Sequence, residues 1–357
     1  MIMILVLSGF GIVAAQNSDI KESDSNGTGG RLDYTHTVLV EACTATWCEP
    51  CATAAAVMHD IYCSGNYDFS YVALVLDKNP YAHARTDELN VFTIPDYVFD
   101  GGFTRHVGTD DLPEAYITGL DQCGVRNVAD IDFDLQAIWI GDGKIDVTLD
   151  IINNESAIYS GHLHVYATEI ESRWNTYSGQ PYHFAMIGNY AFNMNVNVPA
   201  GGISQYSTTW DGKKYGFSDI EKDNIMVIAT VFDSGTKYAD ETAAVTPIEK
   251  PILYIQPLTG GMFRVGAEIN NSGTINATGL IWSIKLNGSI LLGKNTTGGP
   301  ENIPAGGSKT IYSKPIFGFG PTAVTVEARV PDGSSAIRKQ SAFVLLFYIF
   351  IKPGMSR

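Results

Sequence analysis

Residues 37–62 read TVLVEACTATWCEPCATAAAVMHDIY. Thr37 to Ala42 is a short apolar run, which predicts a buried strand. From Cys48 to Tyr62 the period changes. Ala52, Ala55, Ala56 and His59 recur at helical spacing, which predicts a helix. At the junction stands Trp47-Cys48-Glu49-Pro50-Cys51. A helix N-terminus presents unsatisfied N–H groups and the positive end of the macrodipole, and both favour thiolate over thiol. Cys48, at the first turn, is therefore the expected solvent-accessible nucleophile. Cys51, one turn further in, is placed to resolve a mixed disulfide by intramolecular attack. Pro50 is tolerated in the first turn, where a missing N–H costs little. Trp47 is expected to shield one side of the pair.

Outward from this stretch the signals keep alternating. Tyr71 to Leu76 predicts a buried strand, and Ala82 to Phe92 a second helix. Tyr97 to Phe99 and Phe103 to Val107 predict a hairpin across Asp100-Gly101-Gly102. Asp110 to Gln122 predicts a closing helix, with Asp110 or Asp111 able to cap it. Residues 35–127 thus read as an α/β domain with a central mixed sheet. From about residue 128 the period becomes two: Ile131, Phe133 and Leu135 alternate with Asp130, Asp132 and Asp134. Short runs broken by Gly, Asn and Pro continue to the end, as in β-sandwiches. A weak internal repeat divides this region. Ile152-Asn153-Asn154 matches Ile269-Asn270-Asn271, and Pro199-Ala200-Gly201-Gly202 matches Pro304-Ala305-Gly306-Gly307. We therefore expect two sandwiches, 128–249 and 250–352, with a boundary near Glu249-Lys250-Pro251. The first is the longer, by an insertion within 170–192 that carries Arg173, Trp174, Tyr177, Tyr182, His183 and Phe184. Such an insertion can dock on a neighbouring domain, bind a partner, or form the core of a long hairpin.

The motif context carries a resemblance. The strand, then Trp-Cys-Glu-Pro-Cys at a helix start, then Thr93-Ile94-Pro95 between a helix and a strand, resembles the thioredoxin superfamily over residues ~35–125. The resemblance implies an α/β thioredoxin-like domain. Exported relatives with appended modules extend this to two all-β Ig-like sandwiches behind it. It also implies that Pro95 is cis and lies against the cysteine pair. Ile94 and Pro95 would then form a substrate-docking edge by strand-like pairing. Relatives often carry an acid six residues before the first cysteine. Here that residue is Ala42, and its neighbour Glu41 is expected on the opposite strand face. Glu49, between the cysteines, opposes thiolate formation. With Pro50 it is expected to tune the pair toward a moderately reducing couple.

Composition narrows the classes. At roughly 150 residues per domain, 357 residues suggest two to three domains. With 45% hydrophobic and 17% charged residues, the chain is neither disordered nor a coiled coil. A net charge of −15 repels phosphate backbones, so nucleic acid is not an expected partner. Five cysteines are too few for a disulfide scaffold. Cys63 and Cys123 either pair as a structural disulfide or stay free. Cys43 is either a small buried residue or a third redox partner. No second Cys-x-x-Cys exists to complete a zinc site. His162, His164 and His183 are read as packed or surface residues rather than metal ligands, and Asp130, Asp132 and Asp134 as a solvated strand face. No cofactor is implied.

Met1 to Ala15 is apolar and reads as a signal peptide or N-terminal anchor, though no Lys or Arg precedes it. Residues 16–34 read as a linker. Ala342 to Ile351 is shorter than the ~20 residues of a spanning helix and reads as a buried final strand. N-x-S/T sequons occur at Asn26, Asn154, Asn270, Asn276, Asn287 and Asn295. These features point to an extracytoplasmic protein, secreted or at the cell surface, with membrane or cell-surface tethering left open. The expected function is thiol–disulfide exchange on protein thiols or disulfides, reset by a separate redox partner. The alternative is a surface binding or adhesion protein whose Cys-x-x-Cys domain is a non-catalytic platform.

Overall fold

Val38–Thr44 (β1) is buried along its whole length, and Phe69–Val75 (β2) pairs with it in parallel. Asp96–Phe99 (β3) runs antiparallel on the other side of β1, and Thr104–Val107 (β4) pairs with β3. Three α-helices accompany these strands: Glu49–Ser64 (α1), Pro80–Glu88 (α2) and Glu114–Gly124 (α3). The computed structural model describes residues 33–352. The apolar segment 1–15, nearly all of the expected linker and the Asn26 sequon lie outside the described residues.

The sheet does not end at β2. Pro181–Met186 (β8) lies parallel beside it, with Ala73 opposite Ala185. Next comes Tyr159–Asn175 (β7), then Ile225–Asp233 (β11) and Ala239–Val245 (β12), while Phe192–Val198 (β9) also pairs with β7. The result is one nine-stranded mixed sheet. This overturns the expected fold class and the thioredoxin-superfamily resemblance behind it. The protein is predominantly β, with twenty strands and three short α-helices among the described residues. It is not an α/β thioredoxin-like domain followed by two Ig-like sandwiches. The physical reason is the edge of β2, an apolar strand whose free backbone groups need a partner. The 170–192 segment supplies that partner as β8.

Packing follows from this continuity. On one face, Val38, Val40 and Ala42 of β1 meet Met58 and Ile61 of α1 and Tyr116 and Leu120 of α3. Phe184 of β8 enters the same cluster, with its ring 4.9 Å from those of Tyr62 and Tyr71. Burying such a ring contributes about 2 kcal/mol. On the other face, Leu39, Val72 and Leu74 pack with α2 and with Tyr166, Ile228 and Phe232 of the later strands. A three-stranded sheet of Ile131–Gly141 (β5), Lys144–Asn153 (β6) and Ile203–Asp211 (β10) packs on β7, β9 and β11 around Val147, Leu149, Leu163 and Val227.

The rest of the chain makes two further sheets. One holds Leu253–Ile255 (β13), Gly266–Asn271 (β14) and Ser308–Tyr312 (β17). The other holds Ala277–Leu292 (β15), Asn295–Ile303 (β16), Phe317–Arg329 (β18), Ser335–Leu346 (β19) and Tyr348–Ile351 (β20). They enclose a core of Ile269, Leu280, Ile284, Val324 and Val344. The expected buried final strand is instead a tight hairpin of β19 and β20, turning at Leu346 with φ 56°. Phe343, Leu345, Tyr348 and Phe350 point outward because alternation sends every second side chain to the outer face.

The internal repeat has a shared physical meaning. Buried Asn153 donates through Nδ2 to the carbonyls of Ala157, Val198 and Pro199, and its N–H goes to Gly202. Asn271 makes the same set with Ile275, Ile303, Pro304 and Gly307. In each copy one amide side chain satisfies carbonyls that the strand ladder leaves unpaired.

Asn79 closes the β2–β8 seam. It caps α2, accepting from the Tyr81 N–H at 3.0 Å. Its Nδ2 donates to the carbonyls of Met186 and Gly188, both at 2.9 Å. Asn79→Ala removes a cap and orphans two buried carbonyls, so we expect a loss of roughly 2–4 kcal/mol. Urea unfolding of the two proteins measures it; a difference near zero contradicts this role.

Candidate functional site

Cys48 is the N-cap of α1, in extended conformation, and Pro50 sits in the first helical turn. Cys48 and Cys51 form a disulfide, with Cα atoms 5.3 Å apart. Ala45 packs with the pair, and Leu76 and Ile94 lie against it. The Ile94–Pro95 bond is cis. The structure thus brings together Cys48, Cys51 and Ile94, and leaves Glu49 and Pro50 exposed on the outer side of the turn.

Two expectations need correction. Cys48 is only 4% exposed and Cys51 0%, so the pair is recessed rather than open. Trp47 is 63% exposed and stands in solvent, and the apolar cover comes from Leu76 and Ile94 instead. Of the two residues only Cys48 keeps any exposed surface.

The loop that presents Cys48 is fixed from two sides. Asp77, just past β2, accepts from the Thr46 N–H at 2.9 Å and from the Thr46 hydroxyl at 2.5 Å. Tyr182 of β8 donates to the Ala45 carbonyl at 3.0 Å and meets the Thr44 hydroxyl at 2.8 Å. Neither residue was singled out for the site from sequence. An acid at the carboxyl end of a parallel strand was the one legible hint for Asp77. Phe92 was also missed. It was read as the end of a helix, but α2 stops at Glu88, and Asn90 takes the left-handed conformation that ends helices. Phe92 is 94% exposed, two residues before Ile94.

The remaining cysteines are free thiols, which corrects the suggested Cys63–Cys123 disulfide. Cys63 lies exposed on the last turn of α1, its Sγ 3.4 Å from Nε2 of His59. Cys123 is buried in the core that α3 shares with α1, whereas Cys63 faces solvent. Burial, followed by the nearby Asp100, pushes the Cys123 thiol far up. Cys43 is likewise raised by burial, then by Glu41 and Asp96. Both are held as thiols, the poor nucleophile. Glu41 lies on the α2 face, bound by Arg85 at 2.7 and 3.0 Å and by the Tyr166 hydroxyl at 2.8 Å. It is fully committed there.

The histidines are placed apart in role. His183 stacks on His59 with ring centroids 3.5 Å apart, whereas His162 and His164 meet edge to face on β7. Among the described residues no group of three or more His, Cys, Asp or Glu side chains is arranged to hold a metal ion.

No family model and no curated protein matches this sequence. Among solved structures, red sea bream transglutaminase is similar over 69% of this chain, at 13% identity and a TM-score of 0.25. The chain spans only 37% of that protein. A protein of Agrobacterium tumefaciens is similar over 61% of this chain and 98% of its own, at 11% identity and a TM-score of 0.37. A β-glucosidase of Bifidobacterium adolescentis covers 33% of this chain, at 18% identity and a TM-score of 0.22, with 17% of that protein matched. None of these likenesses is close enough to assign a fold or an activity.

Asp77 yields a pH prediction. Burial alone would raise its carboxyl, but the Thr46 hydrogen bonds and Lys78 together hold it below the ordinary value. A lowered carboxylate stabilises the fold above the usual aspartate range, and that stability fades as pH falls through the lowered pKa. Wild type should exceed Asp77→Asn by roughly 1–2 kcal/mol at about pH 7, and the gap should close in acid. Thermal unfolding across pH measures it; a gap that does not change with pH contradicts the assignment.

Proposed function

We propose that this protein is an extracytoplasmic thiol–disulfide oxidoreductase acting on protein substrates through Cys48 and Cys51. The observation that carries the reading is the Cys48–Cys51 disulfide at the helix N-terminus, with exposed Trp47 next to Cys48 in the chain and exposed Phe92 two residues before Ile94. Exposed large aromatics next to a recessed disulfide suit an extended apolar peptide segment. Ile94 itself packs against the cysteine pair. The apolar N-terminal run and the exposed sequons at Asn154, Asn276, Asn287 and Asn295 support export.

The reaction starts from the reduced pair. The Cys48 thiolate attacks one sulfur of a substrate disulfide, forming a mixed disulfide and releasing one substrate thiolate. Cys51 then attacks the Cys48 sulfur, releasing the second substrate thiolate and closing the Cys48–Cys51 bond. Two electrons pass to the substrate, and a dithiol donor restores the pair. The helix N-terminus favours the Cys48 thiolate in every reduced cycle. Glu41 is tied to Arg85 and supplies no base to buried Cys51, so the proton leaves with the substrate thiolate that the Cys51 attack releases.

Insulin reduction with a dithiol donor tests this reading. We expect turnover by the wild type, its loss in Cys48→Ser, and a trapped mixed disulfide in Cys51→Ser. Glu49 beside the pair opposes the dipole, so the couple should lie well below the about −120 mV of strong oxidants. A folded, fully reduced protein that neither turns over nor traps a client sinks the reading. That outcome would favour the binding-protein alternative, for which the outward aromatics of β19 and β20 are the supporting feature.

A further inference from the structure

A cavity of about 690 Å³ opens where the two halves of the long sheet face each other. One wall is the end of α2 with the Gly101-Gly102 turn and β4. The other is β7, β9 and the turn after β11. It is separate from the disulfide: Ile94, which packs against the cysteines, precedes β3, and the glycine turn follows the far end of that strand at Phe99.

The lining is rich in donors. Arg85, Arg105, Lys237, His162, Asn193 and Asn195 all contribute, and Glu88 is the one carboxylate among the lining residues. Glu88 is already taken by Arg85 at 3.0 Å. The side-chain amides of Asn193 and Asn195 meet the two ring nitrogens of His162 at 2.7 and 2.8 Å. A neutral imidazole donates from one nitrogen and accepts at the other, so one amide gives it an oxygen and the other an N–H, and at least three of the four amide N–H groups are left over by His162. Lys237 donates to the Ser234 carbonyl and attracts the Asp233 carboxylate, which lies beyond ion-pair distance. Arg85 is paired with Glu41 and Glu88 and Arg105 with Asp96, so among the described residues Lys237 is the cation of this lining with no carboxylate in ion-pair range, in a chain of net charge −15.

The hollow is also held in shape. Arg85 is pinned by buried Glu41 and lies 5.1 Å over the Phe232 ring. Gly101, at φ 67°, packs so close to the opposite wall that a Cβ would sit 2.8 Å from both the Lys237 carbonyl and the Phe232 ring. The two walls therefore cannot slide apart without breaking this contact.

We propose that this cavity binds a small oxyanion, a carboxylate- or phosphate-bearing metabolite, with Lys237, Asn193 and Asn195 as the donors that meet it. The ligand is recognised by hydrogen bonds to its charged oxygens, which are stronger than those to neutral acceptors. This goes beyond the thiol chemistry and does not depend on it, so the test uses the full chain with the cysteines oxidised.

Calorimetric titration with inorganic phosphate and, separately, with citrate provides the test. We expect saturable one-site binding of at least one anion, with a Kd of about 1 mM or tighter. The arm that binds more tightly separates a phosphate from a carboxylate ligand. Lys237→Gln and Asn195→Asp, both at exposed positions, should each weaken binding at least about tenfold. Lys285→Gln, on β15, should leave it unchanged. No saturable binding of either anion up to about 50 mM overturns the proposal. Equal affinity in wild type, Lys237→Gln and Asn195→Asp overturns it as well.

Discussion

The pairing of β8 with β2 is the contact on which the rest of the molecule depends. Without it, β2 would end the sheet as an apolar edge with unpaired backbone groups, and Phe184 would have no core to fill. With it, strands about a hundred residues apart in sequence share one sheet. Asn79 holds the far end of β8, and Tyr182 holds the near end against Thr44 and Ala45. A second set of polar ties runs parallel to these. Arg126 bonds the Asp100 carboxylate at 2.7 Å and the Ala239 carbonyl at 2.8 Å, while His36 meets the same carboxylate at 2.9 Å. Buried charges of this kind are worth little as net stability, but losing one partner is costly, so they fix which arrangement forms.

The cysteine pair inherits its position from that seam. Its loop is tied to Asp77 at the end of β2 and to Tyr182 on β8, so both strands of the seam bear on the sulfurs. The recess around Cys48 is built by Leu76 and Ile94, which come from segments on either side of α2. Thiol chemistry at this site therefore depends on residues that lie outside the stretch carrying the motif.

Local features were readable from sequence, and nonlocal ones were not. β1 and α1 lie within a few residues of the predicted spans because both are set by short-range periodicity and by the strand-to-helix break at Trp47–Cys48. The hairpin around Asp100-Gly101-Gly102 was readable from its glycines, and the Asn153 and Asn271 clamps were visible as a repeat before their bonding was known. The cysteine pair stood out by type and spacing, and Pro95 only through the resemblance. Pairing between β2 and β8 left no such mark, because both strands are short apolar runs that fit many partners. The α/β reading of residues 35–127 failed there: its elements formed, but their sheet continued into the following region. Asp77 and Tyr182 were silent for the same reason, since their role exists only once that sheet is assembled. Cys63 and Cys123 could be matched by type, but their helices bury one and expose the other.

Native-state hydrogen exchange on the intact chain tests the central claim most directly. If the β2–β8 seam unites the sheet, the slowest amides of β1 and β2 and those of β7, β8 and β11 exchange through one opening of equal free energy. Protection that persists in β1 and β2 while β7, β8 and β11 open separately at lower cost would contradict the account.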